Sequence, residues 1–301
     1  MRENARHREV IFRWEPAAQH EARLAGDPAL LAARMRQAAV DGDVSAQIGL
    51  GHMLLEGHGT PRDADAALRW FQLAARVGHA DAINMVGRCH ELGWGTARNT
   101  RIAAQTYRVA ADMGHAWAQF NLASLILECD EIEGDRAEVL SLLARSAWRG
   151  NAKAMNLIGQ ACEEAWRGRA KIAAARRWYA RAAARGCFRG AYNTARHLSD
   201  DGDIEKAVFW LERSVAVAPG NFCAELGAYL QGHPDARLRE IAARALERAG
   251  ERPPLTEAPV PTSEIPLSPR PKTPPTVLAR WRRSMSRALQ ALTGARRPRQ
   301  G

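Results

Sequence analysis

The chain has 301 residues, of which 46% are hydrophobic and 25% charged, and its formal net charge is +10. No apolar run approaches the ~20 residues that a membrane-spanning helix needs, and residues 1–9 carry charges where a signal peptide has an apolar stretch. The composition predicts a soluble protein that is not exported, and five scattered cysteines without a Cys-x-x-Cys pair favour a reducing, cytoplasmic setting.

Residues 1–40 predict an N-terminal extension that ends in a degenerate capping helix. Asp27 lies 36 residues before Asp63, and Met35 lies 36 residues before Phe71. Terminal units of repeat proteins are usually atypical because one of their faces meets solvent. We therefore interpret the end of this segment as the second helix of an incomplete leading unit.

A period of 36 residues governs residues 41–221. Small and bulky residues recur in the same phase as a series of five glycines. The glycines are Gly42, Gly78, Gly114, Gly150 and Gly186. Each is expected to follow a helix in the left-handed backbone conformation, which is unfavourable for a residue with a Cβ atom. Because several series share one period, each unit reads as helix, loop, helix and turn in an all-α stack.

The first full unit carries the residues of a known repeat. They are Ala46, Leu50, Gly51, Leu54, Gly57, Gly59, Asp63, Ala67, Trp70, Phe71, Ala74, Ala75 and Gly78. This unit resembles the Sel1-like repeat, a relative of the tetratricopeptide repeat, and the next unit matches nearly as well. The resemblance covers roughly residues 41–218. It implies a right-handed α-solenoid of about six helix–turn–helix repeats that acts in protein–protein interaction.

Two further segments follow the repeats. Residues 222–250 predict a closing helix pair, since apolar residues such as Phe222, Leu226 and Ile241 recur at helical spacing. Residues 251–276 hold nine of the fifteen prolines. They predict an extended, disordered linker, because such a segment cannot form a core.

The excess of positive charge belongs to the C-terminal segment, residues 277–301. This segment has seven arginines and no acidic residue, whereas residues 41–250 have 26 basic and 25 acidic residues. Apolar residues recur in it at helical spacing, which predicts a short basic amphipathic helix. They are Leu278, Trp281, Met285, Leu289 and Leu292. The expected contact residues of this tail are Arg280, Trp281, Arg282, Arg283 and Arg287.

Several interpretations of the amphipathic helix stay open. It could lie on an anionic membrane surface, which suits Trp281 on one face and arginines on the other. It could instead dock on a protein partner or on the repeats themselves. Nucleic acid is a weaker interpretation because Trp281 is the only aromatic residue of the segment. A solubilising, disordered tail is the simplest alternative.

The repeats offer a second candidate site along their first helices, which line the concave face of tetratricopeptide solenoids. Positions counted along these helices predict a groove for a protein or an extended peptide. The groove residues are Asn84, Arg88, Trp117, Phe120, Asn121, Asn156, Gln160, Arg189, Tyr192, Asn193 and Arg196. Asparagine suits the unpaired amides of an extended peptide, and arginine suits a carboxylate. The same polar residues could instead solvate the face or tie neighbouring helices together.

Charge is uneven along the third and fourth units. Six acidic residues occur between Glu128 and Glu138, while Arg177, Arg181 and Arg185 share one helix face. These clusters could be solvated faces, could pair with each other, or could form a docking strip for an acidic partner.

Catalytic chemistry finds little support in the sequence. Cys89-His90-Glu91 lacks the second histidine of a zinc-binding HExxH motif. The Gly-x-Gly loops lack the surrounding strand and the Lys-Ser/Thr of a phosphate-binding loop. We expect no catalytic residue, no cofactor and no metal site.

Together these observations predict a cytoplasmic, monomeric adaptor that binds a protein or peptide in the groove, with the basic C-terminal helix as a second contact. Nucleic acid is not expected as a partner. A membrane-surface-associated regulatory protein is the first alternative. A hydrolase acting on cell-wall-type substrates is the second, because some proteins with Sel1-like repeats have been linked to such substrates.

Overall fold

The structure is a computed structural model that describes residues 28–166 and 168–250. The regular structure of these residues consists of thirteen α-helices, and they contain no β-strand. The helices fall into two compact units, divided between Met113 and Gly114. The predicted extension before residue 28, the proline-rich linker and the basic C-terminal helix lie outside the described residues.

The first unit contains five helices. They are α1 (Pro28–Val40), α2 (Val44–Glu56), α3 (Ala64–Arg76), α4 (Ala80–Leu92) and α5 (Thr100–Asp112). Each helix packs on the next, so that α2 with α3 and α4 with α5 form two helix pairs and α1 covers the start of the first pair. α1 lies where the sequence predicts the second helix of a leading unit.

The second unit contains eight helices. They are α6 (Ala116–Glu128), α7 (Arg136–Trp148), α8 (Ala152–Glu163), α9 (Ile172–Ala184), α10 (Phe188–Asp200), α11 (Ile204–Val217), α12 (Gly220–Leu230) and α13 (Ala236–Gly250). Consecutive helices pack on each other from α6 to α11, and α13 packs on both α11 and α12. Helices α8 and α10, the first helices of two successive pairs, also contact each other directly.

The glycines of the 36-residue series end second helices as the sequence predicts. All five have a left-handed φ, between 79° and 97°. The residue after each glycine occupies the N-cap position of the following helix, and three of the five make a capping hydrogen bond through the side chain. The side-chain oxygens of Asp43 and Asn151 accept hydrogen bonds from backbone N–H groups three residues on, at 2.9 and 3.1 Å. Local chemistry therefore fixes both ends of the turn that separates one repeat from the next.

A buried ring inside a helix pair explains the small residue opposite it. Phe71 and Tyr179 are at most 1% exposed. A Cβ atom added to Gly51 would lie 2.5 Å from Cε1 of Phe71, and one added to Gly159 would lie 2.6 Å from Cε1 of Tyr179. Both distances are too short for carbon atoms, so the helices of a pair can pack this closely only around glycine.

Each unit has its own hydrophobic core. Leu50, Phe71 and Cys89 belong to the core of the first unit, and Leu211 and Leu226 belong to that of the second. Within the described ranges, successive helix pairs confirm the predicted all-α solenoid class, and no helix is long and apolar enough to cross a membrane. The domain boundaries drawn from the sequence remain predictions.

Candidate functional site

Two asparagines of the predicted groove are buried and bond each other in the second unit. Nδ2 of Asn193 on α10 donates to Oδ1 of Asn156 on α8 at 2.9 Å. These residues are 8% and 2% exposed. Because a buried amide without a partner costs about 1–3 kcal/mol, this hydrogen bond stabilises one arrangement of the two first helices.

Glu163, at the end of α8, joins three helices. Nη2 of Arg196 on α10 donates to both carboxylate oxygens, at 2.8 and 2.6 Å, and the Tyr179 hydroxyl on α9 donates at 2.8 Å. Burial alone would raise the pKa of the Glu163 carboxyl, but the charge and hydrogen bonds of Arg196, with that of Tyr179, lower it overall. We call Glu163, Tyr179 and Arg196 the Glu163 clasp.

His197 lies against the Glu163 clasp. Its ring stacks on Tyr179 with centroids 5.8 Å apart, and its Nε2 lies 3.5 Å from Oε1 of Glu163. Burial, followed by the charge of Arg196, lowers the pKa of His197. Burial, followed by Glu163, raises the pKa of Tyr179 well above its usual value. At neutral pH the clasp and His197 therefore bring together one carboxylate, one guanidinium and two neutral rings.

Several predicted groove residues are thus buried and make contacts within the second unit. Nε2 of Gln160 donates to Glu164 at 2.9 Å, and the Tyr192 ring meets Phe222 edge to face at 5.7 Å. The buried residues of the predicted groove in this unit are Asn156, Gln160, Tyr192, Asn193 and Arg196. The contacts of Asn156, Asn193, Arg196 and Tyr192 join different helices, whereas that of Gln160 stays at the end of its own helix. A role for these residues in partner binding remains a prediction.

The other groove residues of the second unit are more exposed, and they adjoin a lysine that the sequence analysis missed. Nζ of Lys153 lies 5.5 Å from the ring centroid of Trp117, which is 48% exposed. The Trp117 and Phe120 rings meet edge to face at 6.1 Å. Arg189 is exposed, with its guanidinium 5.1 Å from the Phe188 ring. We call Trp117, Phe120, Asn121, Lys153 and Arg189 the first-helix surface.

In the first unit, the two predicted groove residues lie on α4. Asn84 is 6% exposed. Arg88 is half-buried, with its guanidinium 5.1 Å from the ring centroid of Trp94. Burial, followed by the charge of Arg88, lowers the pKa of His52 to about 4. The charge of Arg88 therefore helps to keep a buried histidine of its own unit neutral.

The titratable side chains of the described residues bear on metal binding and on thiol chemistry. Across these residues, no group of three or more His, Cys, Asp or Glu side chains could hold a metal ion. Burial raises the pKa of the Cys89 thiol to about 12 and also raises that of Cys187, so both are protonated at neutral pH and weakly nucleophilic. The absence of catalysis remains a prediction, and the predicted tail contacts lie outside the described residues.

Four segments of the chain match the family model of the Sel1 repeat. They are residues 44–79, 80–115, 152–187 and 191–216. The unmatched stretch between the second and third segments nevertheless forms the helix pair α6 and α7. The loop that joins α6 and α7 lies among the acidic residues between Glu128 and Glu138, which replace the loop glycines of the earlier repeats. A comparison with curated proteins gives no match.

Solved structures of repeat proteins share the fold. A protective antigen of uropathogenic Escherichia coli strains, described as displaying an SLR fold, is 29% identical with a TM-score of 0.55 over 74% of this chain and 49% of that one. The chain thus spans about half of the antigen's length. A Sel1 repeat protein from Oxalobacter formigenes is 21% identical, with a TM-score of 0.59 over 69% of this chain and 87% of that one. An immunity protein from Pseudomonas aeruginosa is 14% identical, with a TM-score of 0.50 over 69% and 82%. The last two likenesses show the fold alone.

Proposed function

Because this chain belongs to the Sel1 repeat family, we propose that it is a non-catalytic adaptor that holds a protein or an extended peptide on the first-helix surface of its second unit. Sel1 repeats commonly mediate protein–protein interactions. The observation that carries the proposal is the exposed row of Trp117, Lys153 and Arg189, one from each of three successive first helices. All three side chains are exposed, so a partner can reach them.

The first-helix surface has the chemistry to hold an extended segment with a carboxylate and an apolar side chain. Lys153 and Arg189 offer two cations, of which the guanidinium can bind a carboxylate through two hydrogen bonds. Trp117 and Phe120 offer an aromatic surface for the apolar side chain. Asn121 can donate to and accept from the backbone of the segment.

The proposal places the adaptor in the cytoplasm as a monomer. None of the five cysteines, all of which lie in the described residues, forms a disulfide, and cysteines without disulfides suit a reducing compartment. Size-exclusion chromatography with light scattering measures the oligomeric state directly.

Replacing both Trp117 with alanine and Arg189 with glutamine is expected to reduce capture of a specific partner at least about tenfold. Tryptophan and arginine are the residues whose truncation most often costs 2 kcal/mol or more at an interface. The tagged full chain and the variant are each used to recover proteins from the cells that make the chain. Quantitative mass spectrometry then compares every recovered protein between the two.

The chain offers a matched control for this experiment. Phe209 on α11 is 49% exposed, and the Arg213 guanidinium lies 5.6 Å from its ring. Replacing these residues with alanine and glutamine removes the same types of group from a second helix. A partner of the first-helix surface is kept by the control and lost by the test variant. If every recovered protein is captured equally by the control and the test variant, the first-helix surface is not the binding site. Turnover of a substrate in a panel of candidate substrates would favour the enzyme alternative.

The arginine-rich segment 277–301 supports a second candidate function, association with an anionic membrane surface. Its seven arginines and apolar stripe have the composition of helices that lie in a membrane interface. The full chain is expected to cosediment with phosphatidylserine-containing vesicles, less so at raised salt, and deletion of residues 277–301 is expected to leave most of it in the supernatant. If the intact chain does not cosediment with such vesicles, this candidate function is wrong.

A further inference from the structure

Helices α3 and α5 of the first unit differ from α7 and α9 of the second unit at two exposed positions of the repeat. In the first unit these positions hold apolar side chains that are 41% to 67% exposed. They are Leu73, Val77, Val109 and Met113. In the second unit, 72 residues later in each case, the same positions hold exposed arginines. They are Arg145, Arg149, Arg181 and Arg185. Since the fold accepts either type of side chain there, packing does not account for four arginines.

The four arginines belong to a stretch of unbalanced positive charge. Residues 139–199 contain twelve basic residues and only two acidic ones, Glu163 and Glu164. Glu163 is bound by Arg196 within the clasp. Among the described residues, none of the ion pairs involves any of the four arginines. Their positive potential is therefore available to a partner.

A highly exposed tryptophan lies within one helical turn of two of these arginines. Trp148, in the last turn of α7, is 89% exposed. On α9, the Arg181 guanidinium lies 5.1 Å from the ring centroid of Trp178. Tryptophan and arginine are enriched among the residues that dominate protein interfaces. We call Arg145, Trp148, Arg149, Arg181 and Arg185 the second-helix basic surface.

We propose that the second-helix basic surface binds an acidic segment of a partner protein, at a place separate from the first-helix surface. Two arginines four residues apart on a helix are separated by about 6 Å along its axis. Alternate residues of an extended peptide are separated by about 6.6 Å. A segment with acidic residues at alternate positions can thus place one carboxylate on each guanidinium of a helix end. A neighbouring apolar side chain of the segment then covers Trp148.

The composition of the surface favours an acidic protein segment over nucleic acid or a membrane. Single-stranded nucleic acid binds to rows of aromatic side chains on which successive bases stack, whereas this surface offers Trp148 and, beside Arg181, the half-buried Trp178. Insertion into a membrane interface requires an apolar face, whereas four of the five residues here are arginines. RNA and anionic vesicles are therefore competing ligands in the test.

The test measures binding of a fluorescent synthetic dodecapeptide of alternating glutamate and serine with a central leucine to the full chain. Fluorescence anisotropy is expected to show binding that weakens at raised salt. The variant with Arg145→Gln and Arg149→Gln is expected to bind about tenfold more weakly, because each exposed ion pair contributes up to about fivefold in affinity. The variant with Arg181→Gln and Arg185→Gln is expected to behave alike, and Trp148→Ala to lose about threefold or more.

A matched control removes the same charge from the first unit. Arg69 and Arg76 are exposed on α3, and replacing both with glutamine is expected to leave binding of the peptide unchanged. An equal loss in this control would show a non-specific charge effect and overturn the proposal. Absence of peptide binding by the unmodified chain would also overturn the proposal. The same holds if poly(U) RNA or phosphatidylserine vesicles displace the peptide but an unlabelled acidic peptide does not, or if Trp117→Ala is the one variant that weakens peptide binding. Unchanged helical circular dichroism in every variant excludes misfolding as the cause.

Discussion

Replacing Gly95 with alanine is expected to lower the stability of the first unit by about 4 kcal/mol. Gly95 has a φ of +66°, which costs an L-residue roughly 1–2 kcal/mol. An added Cβ would also lie 2.3 Å from the Ala64 carbonyl oxygen and 2.9 Å from Cα of Asp65. These are backbone atoms, so no side-chain rotation relieves the overlap, and overpacking adds roughly 1–3 kcal/mol.

The close approach at Gly95 is a repeated feature of the first unit. Gly95 lies in the loop between α4 and α5, and Ala64 is the first residue of α3. Gly59, in the loop between α2 and α3, makes the same kind of approach, since its Cβ would lie 2.0 Å from the carbonyl oxygen of Pro28 at the start of α1. Each of these loops therefore packs on the start of the preceding second helix, and only glycine fits there.

Gly78 provides the matched control for this prediction. Its φ is +80°, but a Cβ atom added to it would meet nothing within 4 Å. Gly78→Ala is therefore expected to cost only the backbone term, about 1–2 kcal/mol. Urea unfolding followed by helical circular dichroism compares the variants, and hydrogen exchange locates the weakened amides within residues 28–113. Equal losses in the two variants would show that the contact with α3 does not matter.

The sequence predicts the helices well because their ends and cores are set locally. The turn glycines require a left-handed φ, and side chains such as Asp43 and Asn151 satisfy the first N–H groups of the next helix. Buried rings such as Phe71 recur at the repeat period. These features depend on neighbours within one 36-residue repeat, so the same period describes all of them.

The candidate site was less predictable because it depends on contacts between units of the repeat. Counting along a helix places Asn156 and Asn193 on first helices, but it does not show that the two amides bond each other. Lys153 was missed although it lies 36 residues from both Trp117 and Arg189. The repeat period could have found it, because the predicted groove already contained both of these residues.

One contact of the Glu163 clasp also has a signal in the sequence. Tyr107 donates a hydrogen bond to Glu91, as Tyr179 does to Glu163 two repeats later. Where the ring position holds Phe71 or Leu143 instead, the glutamate position holds Leu55 or Leu127. A hydroxyl thus occurs together with a carboxylate, because each would be left without a buried partner if the other were replaced.

Replacing Arg196 with methionine is expected to destabilise the second unit by about 3 kcal/mol at neutral pH. Methionine retains much of the packing of the stem but leaves the Glu163 carboxylate, whose side chain is 22% exposed, without its cation. Removing one partner of a buried ion pair commonly costs 3–5 kcal/mol, and partial exposure of Glu163 favours the lower end. Arg176→Gln breaks the exposed pair with Asp201 and is expected to change stability little, because solvent screens an exposed ion pair.

The pH dependence of stability and a double variant distinguish a stabilising role of Arg196 in the clasp from a role in partner binding. The pKa of Glu163 is lowered below its ordinary value of 4.5, so its stabilising effect is present above pH 4.5 and is lost as the pH falls through the lowered pKa. The deficit of Arg196→Met in urea unfolding should therefore shrink on acidification. Adding Glu163→Gln should recover much of it at neutral pH, because the uncompensated charge is then gone. If Arg196→Met instead keeps full stability and loses partner capture, Arg196 is a binding residue of the groove.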